Sequence, residues 1–266
     1  YATAIDRMEN RPVSAAIAWI KSQKNHNGED WSDSYKKLYL SALSHREKEA
    51  GRPVPDTITK AIKELVIKVQ AVEKSQKLTE KEKEKYVTWD EFKAATMDDS
   101  ISAQDRLIVS LYTETAPVRN DYTPMVVLYK TPTKPVITAH KAAGHNLCVL
   151  LKRASYFLFL NYKTSESYGD RKIAIPTHLA NIIRARLIPS GDFLLSVGGQ
   201  AMTEKYLSSK IQRIFKKLLG KEVSINILRH AYVTKMREGE MSLANKEKLA
   251  YSMMHSPLEN ELYRKI

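Results

Sequence analysis

Four short runs carry residue types that could act on a phosphate centre. Thr115-Ala116-Pro117-Val118-Arg119-Asn120-Asp121-Tyr122 stands where a helical apolar pattern stops, which leaves Arg119 at a helix end. An arginine there, taken alone, is more often a surface or capping residue than a functional one. In the run from Ser224 to Thr234, Asn226 precedes Arg229 by three positions, so the two share one face of a helical turn. Met253-Met254-His255-Ser256-Pro257 places His255 at a helix start. Ser256 suits an N-cap, Pro257 the first helical position, and Glu259 the reciprocal position of a capping box. Tyr263 then stands about two turns into a firmly started helix. Two guanidinium forks can bind and neutralise phosphate oxygens in a way lysine cannot. A tyrosine hydroxyl is a nucleophile once its proton is removed. With a pKa near 10, only about one molecule in a thousand is ionised at neutral pH, so nearby positive charge and a proton acceptor must help.

The elements that must position these residues are mostly helical. Tyr35, Leu38, Tyr39, Ala42 and Leu43 recur at helical spacing within Trp31 to Ala50, as do Ile58, Ile62, Leu65, Val66, Val69 and Val72 after Pro55. A further helix around Ser14 to Ser22 carries Ile17, Trp19 and Ile20. From Ser75 to Tyr86 the chain is chiefly Lys and Glu with Leu78 to bury, which reads as a linker or a solvated helix. The expected division is a helical domain over 1–76, a linker over 77–87 and a second domain over 88–266. Thr88-Trp89-Asp90-Glu91 is a capping box that opens the second domain, followed by a helix through Leu107, Ile108 and Leu111. Asn146 to Leu151, Tyr156 to Tyr162 and Lys172 to Ile175 predict three antiparallel strands, with a hairpin near Thr164 to Asp170. Helices resume at Thr177, including a long one through Tyr206 to Leu218 that Gly220 is suited to end. Tyr232 and Tyr251 lie on apolar helical faces and are expected in the core. His230, beside Arg229, is read as a packing or supporting residue.

Composition narrows the partners. The 266 residues carry 43 Lys and Arg against 30 Asp and Glu, a net charge of +13, which favours polyanions. No apolar run approaches the roughly 18 residues of a membrane span, and no signal peptide opens the chain, so nucleic acid is the better partner than a membrane. A single cysteine, Cys148, excludes an internal disulfide and a cysteine-rich zinc site, and in Leu147-Cys148-Val149-Leu150-Leu151 it reads as buried filler. An intracellular setting follows from that cysteine usage. His140 and His145 lie on a Gly-containing stretch with no cysteine or acidic cluster beside them, which is not metal-ligand spacing. A chain opening on Tyr1 rather than Met is expected to be a fragment or a processed form.

In this order the motifs resemble the tyrosine recombinases and phage-type integrases. Leu228-Arg229-His230-Ala231-Tyr232-Val233-Thr234, then Met254-His255-Ser256, then Tyr263, is similar to that family's C-terminal signature. Arg119 with Asp121 matches its first arginine box, and Lys163 in Asn161-Tyr162-Lys163-Thr164 its hairpin lysine. The resemblance implies a mainly α protein with a small antiparallel β-sheet. It implies an N-terminal helical core-binding domain and a catalytic domain that form a C-shaped clamp around double-stranded DNA, and self-association into a synaptic tetramer. It further implies cleavage and rejoining of DNA through a 3′-phosphotyrosyl bond to Tyr263. Arg119, Arg229 and His255 would bind the phosphate, and Lys163 would protonate the departing 5′-oxygen, with Lys172 of the same hairpin as the alternative. Bond energy is kept in the phosphotyrosine, so no metal, ATP or other cofactor is required. The style of the hairpin and boxes suggests a virus or mobile element, hence a host cytoplasm or nucleus.

One position departs from the pattern. The family usually has histidine or lysine where this chain has Asn226, which can hydrogen-bond but cannot act as a general base. The acceptor of the Tyr263 proton is therefore unassigned, and in this family the acid matching Asp121 looks structural. Relatives also often extend further beyond the tyrosine, whereas Arg264, Lys265 and Ile266 follow it here, so cleavage in the same or a neighbouring protomer stays open. Two rival functions remain: a type IB topoisomerase, and a DNA-binding protein that keeps the fold without catalysis.

Overall fold

The computed structural model describes residues 1–98 and 100–265, with Lys81 described by its backbone alone. The chain divides into two compact units, Tyr1–Lys77 and Leu78–Ile266. The first holds α1 (Ala2–Met8), α2 (Val13–Ser22), α3 (Asp33–Glu49) and α4 (Asp56–Lys74). Helix α3 is its centre, burying Tyr39, Leu40, Ala42 and Leu43 with Met8, Ile20 and Ile58 of the other three helices. The expected stripe on α3 is rotated slightly, because Leu40 is buried while Leu38 is 44% exposed and Tyr35 37% exposed. Trp19 and Trp31 explain the shift. Their rings pack against Tyr39 at 5.9 and 4.6 Å and draw that side of the helix inward.

The stretch read as a linker contains a helix within the second unit, α5 (Glu80–Lys85). A capping box forms there, since the Thr79 side chain accepts from the Glu82 N–H and the Glu82 carboxylate accepts from Thr79 N–H. The predicted box at Thr88 and Glu91 forms in the same way and starts α6 (Trp89–Ala95). After α7 (Ala103–Thr113) come β1 (Met125–Leu128), α8 (Lys134–Ala142), β2 (Asn146–Val149), β3 (Tyr156–Phe159), α9 (Ser165–Tyr168) and β4 (Arg171–Ala174). The sheet order is β1-β2-β3-β4. The three expected strands pair antiparallel, but β1 adds a fourth, parallel to β2 and in register from Met125 with Asn146. The sheet is therefore mixed, and α8 is the crossover that a parallel pair requires. The expected hairpin between β3 and β4 instead holds the short α9, closed by Gly169 at φ 66° and by a Tyr162 hydroxyl donating to the Gly169 carbonyl at 2.6 Å.

The chain continues through α10 (Thr177–Arg184), a two-strand ribbon of β5 (Ser196–Val197) and β6 (Gln200–Ala201), and α11 (Glu204–Leu219), which ends on Gly220 in the left-handed conformation. The last helices are α12 (Ile225–Met236), α13 (Leu243–Ser252) and α14 (Pro257–Tyr263). Between sheet and helices lies one core in which Phe92, Tyr112, Tyr122, Phe157, Phe159 and Phe215 are fully buried. Cys148 belongs to it, and burial pushes its thiol pKa up, as expected of inert filler. Tyr232 packs its ring 4.8 Å from Trp89 at the core's edge. Tyr251, expected in the core, is instead 38% exposed, with the Arg171 guanidinium 4.2 Å above its ring. Cation–π contact stabilises that ring where apolar packing does not.

Candidate active site

The loop after α7 is fixed from beneath before it presents Arg119. Tyr112 donates its hydroxyl to the Arg119 carbonyl at 2.7 Å, and Tyr122 donates to the Leu111 carbonyl at 2.9 Å. Asp121 accepts from the Arg119 backbone N–H at 3.0 Å. Burial raises the Asp121 pKa, and the charges of Arg229 and Arg119 oppose that rise. Its carboxylate thus braces the loop. Arg119 itself is partly exposed, with 27% of its side chain accessible, and it donates to Glu259 Oε1 at 2.9 Å.

Arg229 is the opposite case. It is 1% exposed and lies in α12, which Ser224 caps by accepting from the Ile227 N–H. Its Nη1 donates to the Pro117 carbonyl at 2.8 Å, tying α12 to the Arg119 loop. Its Nη2 meets His255 Nε2, and its Nε has no hydrogen-bond partner among the described residues. Burial lowers the Arg229 pKa and Arg119 adds to the effect, against the opposing influence of Tyr263 and Asp121. A buried guanidinium in this state gains most from a nearby anion.

His255 reaches Arg229 through an abrupt change of chain direction. Met254 takes φ 56°, a left-handed conformation that ends α13, and His255 N–H donates to the Ala250 carbonyl at 2.9 Å. A non-glycine residue there costs roughly 1–2 kcal/mol, offset by burial of Met254 in the main core. The His255 ring is 2% exposed, and its pKa is driven down to about 2, first by burial and then by the charges of Arg229, Arg119, His230 and Lys163. The imidazole is therefore neutral at pH 7. Arginine only donates, so Nε2 accepts and Nδ1 carries the proton. That Nδ1 has no partner among the described residues.

Tyr263 closes the group from α14. Its ring lies 4.7 Å from that of His230 and 4.5 Å from that of His255, and the Arg229 guanidinium carbon is 5.0 Å from its centroid. His230 Nδ1 donates to the Tyr263 carbonyl at 2.8 Å, and its Nε2 accepts from the Asn226 amide at 3.1 Å. One neutral tautomer satisfies both bonds, and burial lowers the His230 pKa in keeping with it. Asn226 is exposed and reaches the tyrosine through His230.

Arg119, Arg229, His255 and Tyr263 are thus brought together, with Asn226 joined through His230. Lys163 is exposed in the turn before α9, beside Thr164, whose hydroxyl donates to the Met254 carbonyl at 3.3 Å. Its charge bears on His255, as noted above. Lys172 is held elsewhere, its Nζ 4.0 Å from the centroid of Tyr156. Sequence reasoning missed Glu259 as a site residue. Ser256 does accept from the Glu259 N–H at 3.0 Å, but the Glu259 carboxylate does not close the expected capping box; it turns to Arg119, a stronger charged partner than a backbone amide. No sequence signal separates those two uses of a glutamate at this position.

His140 and His145 bring their Nδ1 atoms within 3.3 Å. Among the described residues no group of three or more His, Cys, Asp or Glu could hold a metal ion, and no helix is long and apolar enough to cross a membrane.

No family model and no curated protein matches this sequence. Among solved structures the chain is similar to a XerA recombinase, with a TM-score of 0.46 and 14% identity, covering 100% of this chain and 84% of that one. It is also similar to the Tn1549 transposon integrase in complex with circular intermediate DNA, with a TM-score of 0.42 and 16% identity, covering 100% of this chain and 94% of that one. The same integrase bound to transposon right end DNA gives a TM-score of 0.42 and 16% identity over 99% and 92% of the two chains. These are likenesses of chain path at low identity.

Proposed function

We propose that this protein is a DNA strand-exchange enzyme of the tyrosine recombinase type, an integrase or site-specific recombinase that uses Tyr263 as its nucleophile. The observation that carries the reading is the setting of Tyr263, whose ring lies between His230 and His255 with Arg229 5.0 Å from its centroid. In this reading Arg119 and Arg229 bind the nonbridging oxygens of the scissile phosphate, and a neutral His255 adds an imidazole N–H. The Tyr263 hydroxyl gives its proton to water, there being no side-chain base at Asn226, and its oxygen attacks phosphorus. The 3′-phosphotyrosyl bond forms as the bond to the 5′-oxygen breaks, and that oxygen leaves with a proton from Lys163. Each preorganised donor is worth about 3 kcal/mol in such a transition state. The partner is duplex DNA, to which the +13 charge is suited, and strand exchange between sites calls for self-association.

A non-catalytic DNA-binding role is favoured by one observation: Asn226 stands where a base would serve, and its amide is engaged by His230. A suicide DNA duplex, nicked so that cleavage cannot reverse, separates the readings on a denaturing gel. The wild-type chain is expected to form a covalent adduct that Tyr263→Phe abolishes. Absence of adduct from the wild type supports the binding role. Relaxation of supercoils by a monomer without recombinant products would indicate a topoisomerase.

A further inference from the structure

The Arg119 guanidinium already holds an anion, and that anion belongs to the nucleophile's own helix. Glu259 Oε1 lies 2.9 Å from Arg119 Nη2 and 3.8 Å from His255 Nε2. One of the groups assigned above to the phosphate, Arg119, therefore faces a carboxylate oxygen, while the neutral His255 turns its unprotonated Nε2 rather than its N–H toward it. A carboxylate and a phosphate offer an arginine fork the same kind of acceptor, so both cannot hold this nitrogen at once. Glu259 and Tyr263 stand one turn apart on α14, where residues four apart share a face. The other carboxylate of this helix, Glu261, pairs with Arg237, whose side chain is 5% exposed, so α14 is anchored at a second point.

We propose that Glu259 is an internal stand-in for the scissile phosphate: it occupies Arg119 in the free protein, and the DNA phosphate must expel it. This rests on the reading of Arg119 as a phosphate ligand. Release of Glu259 frees one anchor of α14 while Glu261 keeps the other, so occupation of the anion pocket is coupled to the setting of Tyr263. The pair is made to yield. Its side chains are 27% and 35% exposed, and ion pairs of that exposure are weak. A phosphodiester held at several points along DNA displaces it, whereas a lone anion meets a competitor.

The test uses the full chain and inorganic phosphate, with binding measured calorimetrically for the wild type, Glu259→Gln and Glu259→Ala. Both variants are expected to bind phosphate about fivefold more tightly, the ratio set by the weak pair they remove. Adding Arg119→Ala to Glu259→Gln is expected to erase the gain. Unchanged or weaker phosphate binding in both variants would overturn the proposal, as would a gain that persists without Arg119. Hydrogen exchange on the wild type guards against a variant that misfolds. Saturating phosphate is expected to speed exchange of the α14 amides, and unchanged exchange counts against displacement. The suicide-duplex assay is scored separately. A phosphate gain without any DNA adduct sinks the enzyme reading and leaves the stand-in intact; an adduct without the gain does the reverse.

Discussion

Replacing Arg229 with lysine isolates the value of its fork, because the positive charge is kept. The guanidinium makes two contacts from two different nitrogens, Nη1 to the Pro117 carbonyl at 2.8 Å and Nη2 to His255 Nε2. One ammonium on a four-carbon stem reaches one of them. The other acceptor is left buried without a donor, at a cost of about 1–3 kcal/mol. At 2 kcal/mol the melting temperature is expected to fall by roughly 4–8 °C in a domain of this size. The effect on cleavage is expected to be larger, since a misplaced oxyanion donor costs about 10²–10³ in rate. Single-turnover cleavage of a suicide duplex, run well below the lowered melting point, separates the two effects. A folded Arg229→Lys protein that cleaves within threefold of the wild-type rate would refute the argument that the fork is what the site needs.

Four further outcomes are expected. His255 has a folded pKa near 2 against an unfolded value near 6.5, so below pH 6.5 the unfolded chain binds a proton that the folded one refuses. Stability is then lost as pH falls from about 6.5, by up to about 1.4 kcal/mol per pH unit, and urea midpoints for His255→Gln should show a shallower decline. Lys163→Ala is expected to slow cleavage of ordinary DNA and to be rescued by a 5′-thiol leaving group, which departs without a proton; Lys172→Ala should need no rescue, and the reverse pattern would exchange their roles. DNA affinity should fall steeply with salt, by about 10³-fold between roughly 50 and 200 mM if about six phosphates are held. Tyr112→Phe removes the hydroxyl that donates to the Arg119 carbonyl and should cost about 1–3 kcal/mol of stability in a melting experiment, together with cleavage rate.

The helices were legible wherever one face is apolar and a cap marks the start, as at Thr88 and Glu91, because both signals are local. Strand β1 was not. Met125 to Leu128 is a four-residue apolar run whose partner, β2, lies beyond a whole helix, and nothing in the run specifies a parallel neighbour. Tyr251 misled for a related reason: helical spacing gives a face but not the Arg171 that covers it. Within the site, residue types and order pointed to Arg119, Arg229, His255 and Tyr263. The sequence could not reveal that a single histidine tautomer links Asn226 to the Tyr263 carbonyl, or that Glu259 leaves its cap for Arg119. Those are choices between partners distant in sequence, and only packing decides them.

The central claim is that Tyr263 becomes joined to DNA. Trapping the wild-type chain on a suicide duplex, digesting protein and DNA, and sequencing the modified peptide by mass spectrometry tests it most directly. The expected result is a nucleotide attached through its 3′-phosphate to Tyr263, with a free 5′-hydroxyl on the released strand. Attachment to another of the 14 tyrosines, or cleavage that leaves a 5′-phosphate and no protein adduct, would contradict the account.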